Sequence, residues 1–112
     1  MTTLMGRTLK HIALIKAVRE IRKEIEKAGL DELKIKADNG ISIISTYLND
    51  CSPKERARYR RDLNALLQMG VTPDMLLDEL ARQMPEIAPI MDGKDDYKKT
   101  EIQNLERFLK QG

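Results

Sequence analysis

Residues 30–51, LDELKIKADNGISIISTYLNDC, decide between an all-helical chain and one with a small sheet, because two periodicities fit them. Leu30, Leu33, Ala37, Ile41, Ile44, Leu48 and Cys51 recur at three- and four-residue spacing, the spacing of one helix face. Leu33, Ile35 and Ala37 also alternate with Lys34 and Lys36. An Asp38-Asn39-Gly40 loop could then return the chain so that Ile41 and Ile43 face them as a β-hairpin. The helical reading is preferred, since Ile44, Tyr47 and Leu48 continue it and an isolated two-stranded hairpin is marginal without a packing partner. Gly40 inside a helix costs about 1 kcal/mol relative to Ala, so a helix broken near Asn39-Gly40 reconciles the two.

The segment that follows carries the clearest local signal. In Ser52-Pro53-Lys54-Glu55 the serine can cap exposed amides, proline suits the first helical position, and Glu55 can close a capping box. A helix is expected from there to about Met69, burying Tyr59, Leu63, Leu66 and Leu67, with Gly70 as its stop. Thr72-Pro73 repeats the start for a helix to about Met84 with Leu76, Leu77 and Leu80 as its apolar residues, and Pro85 ends it. Ile87, Ile90 and Met91 sit in a short turn of helix. A last helix runs from about Asp95 to Lys110, burying Ile102, Leu105, Phe108 and Leu109.

Upstream, His11, Leu14, Val18, Ile21, Ile25 and Ala28 form a stripe along a helix from about Leu4 to Ala28. Ile12 and Ile15 widen its first half, which is therefore expected deep in the core, with His11 as a core or core-edge residue. The fold class is all-α: a small bundle of four to five helices, with the short hairpin near residues 33–45 as the alternative, in one domain over residues 1–112.

Composition agrees. At 112 residues one core is expected. With 41% hydrophobic residues against 34% charged, the chain can bury enough apolar surface to fold. No run approaches the roughly 18 apolar residues of a membrane span, and the N-terminus lacks a signal peptide's pattern. Cys51 is the single cysteine, so no internal disulfide can form. A cytoplasmic location is the expectation. The net charge of +2 hides polarity along the chain. Residues 1–30 hold seven bases and three acids, residues 54–61 five bases and one acid, and residues 71–96 seven acids and two bases.

Catalysis finds little support. Nucleophile chemistry needs a thiol or hydroxyl with a positioned base, and the one cysteine and one histidine lie forty residues apart. Cys51 near Lys54 could have a lowered pKa, but packing at an interhelix corner is the plainer reading. Residues 92–96, Asp-Gly-Lys-Asp-Asp, fail as a calcium loop because Lys94 and Gln103 stand where ligands belong. The isolated glycines form no phosphate loop. No catalytic residue, metal, cofactor or small-molecule substrate is expected.

The sharpest functional pattern is the basic run of helix 52–69. At 100° per residue Lys54, Arg58 and Arg61 project opposite the apolar stripe, while Arg56 and Arg60 flank it and should bury their stems. With Lys16, Arg19 and Lys23 they could grip nucleic-acid backbone in a salt-sensitive way. Residues 66–80 resemble a helix-turn-helix in outline, but Asp74, Asp78 and Glu79 would repel phosphates. The leading expectation is a non-enzymatic module that binds another protein or a second copy of itself, as an adaptor, regulator or small subunit, with Val18, Ile21 and Ile25 as the interface if the bundle leaves them free. The alternative is an accessory nucleic-acid-binding protein.

Overall fold

A computed structural model describes the backbone of residues 2–92 and 95–111 and the side chains of residues 9–90 and 96–111. Seven α-helices follow one another: α1 (Thr2–Glu26), α2 (Leu30–Asp38), α3 (Ile43–Asn49), α4 (Pro53–Gln68), α5 (Pro73–Gln83), α6 (Ala88–Asp92) and α7 (Asp95–Lys110). A 3₁₀ turn, Pro85–Ile87, joins α5 to α6. The class is all-α, and the helices of the described residues approximately match the expected bundle of four to five, with α2 and α3 dividing residues 30–51 and the short α6 added. The would-be calcium loop around Gly93 and Lys94 lies outside the described residues.

The hairpin near residues 33–45 does not form; the chain makes α2 and α3 there. Gly40 ends α2 there instead of turning a hairpin. It takes φ +72°, its N–H donates to the Ala37 carbonyl, and the Ile41 N–H donates to Lys36. That is a Schellman stop, which wants glycine one residue past the C-cap as strongly as a hairpin turn wants Asn-Gly. Gly70, at φ +96°, ends α4 the same way, with its N–H on Leu67 and the Val71 N–H on Leu66. Starts are equally local. The Ser42, Ser52 and Thr72 hydroxyls accept from the N–H groups of Ser45, Glu55 and Met75, and proline follows the latter two caps. The Glu55 carboxylate takes Arg58 at 2.7 Å.

The core is built around the second half of α1. Leu14, Val18, Ile21 and Ile25 share one buried core with Ile43, Ile44 and Leu48 of α3, Tyr59, Leu63 and Leu66 of α4, Leu76, Leu77 and Leu80 of α5, and Leu105 and Phe108 of α7. Helix α4 runs antiparallel to α1. The Tyr59 hydroxyl lies 3.3 Å from the Glu20 carbonyl, while Met69, further along α4, lies beside Ala13, earlier on α1.

The first half of α1 departs from expectation. Leu9 is 64% exposed, Ile12 43%, and His11 is exposed as well. Leu14 of this half is still buried, and Leu9 and Ile12 lie roughly 140° and 160° round the helix from it, on the side turned away from the core stripe. Val18, Ile21 and Ile25, offered above as a partner surface, are 0–3% exposed: the bundle itself consumes that face.

Candidate functional site: the face shared by α1 and α4

Antiparallel packing of α1 on α4 brings Lys16 and Arg19 to one groove with Asp62 and sets Arg58 near Glu20. The basic residues singled out above do not form a uniform cationic ridge. Arg58 is half-buried, bonded to Glu55, and lies over the Tyr59 ring at 4.8 Å. Arg61 reaches Asp62 at 3.6 Å, and Lys23 reaches Glu20 at 3.5 Å. Lys54, Lys16 and Arg19 are exposed and make no ion pair with a described carboxylate. Arg56 and Arg60 bury their stems as expected: Arg56 donates to the Asn49 carbonyl, and Arg60 donates to Phe108 while stacking on its ring.

Between the two helices lies an open groove of about 480 Å³. Its floor is Ala13 and Ala17 of α1 with Ala65, Leu66 and Met69 of α4, and Lys16, Arg19, Glu20 and Asp62 form its rim. Leu9 falls one turn before Ala13 on the same face of α1, so the groove opens onto a large exposed side chain. Across from it Met69 is 46% exposed. Lys10 stands at this mouth, its ammonium against Gly70, where a Cβ would meet it at 3.3 Å. Aliphatic surface also shows at Leu30, Ile35 and Ile41 around α2.

A second cleft, of about 450 Å³, sits where α1, α2, α3 and α4 meet. Glu24, Glu32, Asp50 and Glu55 line it around Cys51, with Lys27 as the one cation of its lining. The thiol donates toward the Glu24 carboxylate at 3.3 Å. Burial and that carboxylate push its pKa up to about 11, opposite to the activation that a neighbouring Lys54 would give. Cys51 is thus a partly buried corner residue packed on the core. Burial draws the Glu24 carboxyl upward, but the bonds from Lys27, Cys51 and Tyr59 outweigh it and hold the group below its ordinary value. No group of three potential ligands could hold a metal ion among the described residues.

The deepest polar cluster escaped the sequence reading. Glu101 of α7 is fully buried and accepts from the Ser42 hydroxyl at 2.6 Å, the Ile43 N–H at 2.8 Å, the Ile44 N–H at 3.3 Å and the Tyr97 hydroxyl at 2.5 Å. It closes the N-terminus of α3, and both oxygens are occupied by protein donors, so the cluster is a structural clasp. Burial beside that carboxylate raises the Tyr97 pKa far above a free phenol's. No helix among the described residues is long and apolar enough to cross a membrane. Comparison with family models, with curated proteins and with solved structures finds no match to this chain.

Proposed function

We propose that this chain is a non-enzymatic helical module that works by binding another protein, through the face shared by α1 and α4. The observation that carries this reading is the exposed aliphatic surface of Leu9, Ile12 and Met69 around an open groove, where most other large aliphatic residues among the described ones are buried. Apolar surface rimmed by charge is the usual form of a protein contact. The basic face argues less well for nucleic acid, because Glu20, Glu55 and Asp62 interrupt it and occupy three of its six cations. Phosphate binding draws its strength from unopposed cations.

The test compares three forms of the protein in affinity capture from extracts of its own cells: wild type, a Leu9→Glu/Met69→Glu variant, and a Lys54→Ala/Arg58→Ala/Arg61→Ala variant. Proteins kept by the wild type and the triple variant but lost from the double variant are the expected result. Identical capture by all three overturns the reading. Salt-steep binding of labelled oligonucleotides between about 50 and 200 mM salt, abolished in the triple variant, would replace it with backbone binding.

A further inference from the structure

We infer that the occupant of the α1/α4 groove is an acidic amphipathic helix, an inference that rests on the protein-binding reading above and names its partner class. The shape comes first. Both walls are helices, and the wall of α1 presents Leu9, Ala13, Ala17 and Glu20 at intervals of four, four and three residues. From Leu9 to Glu20 that wall spans roughly 16 Å, the length of three helical turns. A ligand that lays residues at i, i+4 and i+7 along it matches both its period and its length. The alanines of the floor allow close approach of a third helix, and Leu9 and Met69 would flank the ligand's apolar edge.

Charge selects the kind of helix. The rim of the groove carries Lys16 and Arg19 against Glu20 and Asp62, with Lys10 beside Gly70 at its mouth. Both of those carboxylates already face a cation of this chain, Glu20 through Lys23 and Asp62 through Arg61. Lys10, Lys16 and Arg19 are left with no described carboxylate and with their heads at the rim. A helix whose polar face carries Asp or Glu supplies the missing partners, whereas a basic helix meets like charge along α1. The thioether of Met69 at the open end tolerates variation in the apolar residue placed against it.

The experiment is an amide NMR titration of the intact chain with two synthetic peptides of about 20 residues, long enough to hold helix in solution. They share one leucine face and differ only in a Glu-rich or Lys-rich polar face. The expected result is saturable shifts at Ala13, Ala17, Ala65 and Met69 with the acidic peptide, at least about tenfold tighter than with the basic one, and a reversed preference in a Lys16→Glu/Arg19→Glu variant. Equal binding of both peptides, shifts confined to other surfaces, or no shift at about 1 mM peptide overturns the inference. So do concentration-dependent shifts at the same amides without peptide, which would assign the groove to a second copy of this chain. Failure here with partner loss still seen in the Leu9→Glu/Met69→Glu variant would remove the acidic helix and leave the protein-binding reading standing.

Discussion

The Ser42 hydroxyl donates to the Glu101 carboxylate at 2.6 Å across 59 residues of sequence, and through that contact the last helix fixes where α3 begins. The same serine oxygen accepts from the Ser45 N–H, so one side chain both caps its own helix and anchors another. Helix α3 has only seven residues, too few to hold helix without such support. Three donors of the α2–α3 junction, the hydroxyl of Ser42 and the N–H groups of Ile43 and Ile44, converge on one carboxylate. A carboxylate at a helix N-terminus also meets the positive end of the helix dipole.

Glu101→Ala should therefore destabilise the fold by about 3 kcal/mol, because it strands buried donors in place of a charged acceptor. Denaturant unfolding reads the loss, and hydrogen exchange at Ile43 and Ile44 should quicken along with it. A change below about 1 kcal/mol would mean that water or another group takes over the clasp.

Removing single caps should rank by what else each hydroxyl does. Ser52→Ala and Thr72→Ala each lose one bond to a backbone N–H, at exposed positions, and should cost about 1 kcal/mol. Ser42→Ala loses a cap together with a buried bond to Glu101, and should cost about 2 kcal/mol or more. Equal shifts of the unfolding midpoint across the three variants would contradict this division of roles.

This contrast also marks what the sequence could show. Ser52-Pro53, Thr72-Pro73 and Gly70 act on neighbours within a turn, so their meaning is local and their helices begin and end where the pattern puts them. Asn39-Gly40 is local too, but the same dipeptide serves a hairpin turn and a Schellman stop, and only the surroundings of Ile43 and Ile44 select between them. The carboxylate that selects belongs to Glu101, and no short-range pattern joins it to Ser42. The stripe of α1 identified its buried side correctly at Val18, Ile21 and Ile25, whereas Leu9 and Ile12, roughly 140° and 160° round the helix from Leu14, stand off that stripe and emerge as surface. The basic run on α4 was legible as charge, whereas the lining of the groove required α1 and α4 to be laid side by side.

Acid should weaken the fold partly through Glu79. This carboxylate is 5% exposed and receives Arg82 in a two-pronged pair at 2.9 and 2.6 Å, with Gln83 adding a third bond. Arg82 foremost, against the opposing effect of burial, holds the Glu79 carboxyl below its ordinary range. A lowered folded pKa gives stability that is present above the unfolded value near 4.5 and is lost as pH falls through the folded one. Glu79→Gln should thus be less stable than wild type at pH 7, by about 1 kcal/mol given the exposed arginine. The gap should close as both are acidified below about pH 4. A gap that persists unchanged at pH 3 would assign the loss to packing instead.

Cys51 offers a test in the alkaline direction. Its thiol, half sheltered and facing Glu24, titrates near 11, so at pH 8 it is almost wholly protonated. Alkylation by iodoacetamide should then run at least about tenfold slower than for a free cysteine, and should keep accelerating above pH 9, where a free thiol levels off. Removing the facing charge in Glu24→Gln should speed the reaction at pH 8, while Lys54→Ala should leave it unchanged. The raised folded value also makes the thiol a source of alkaline instability. Stability is intact below the unfolded pKa of about 8.5 and declines as pH rises towards 11, since the unfolded chain releases its proton first. Cys51→Ser should blunt that decline. Fast alkylation at pH 8 that depends on Lys54 would show the lysine, and not Glu24, to govern the thiol.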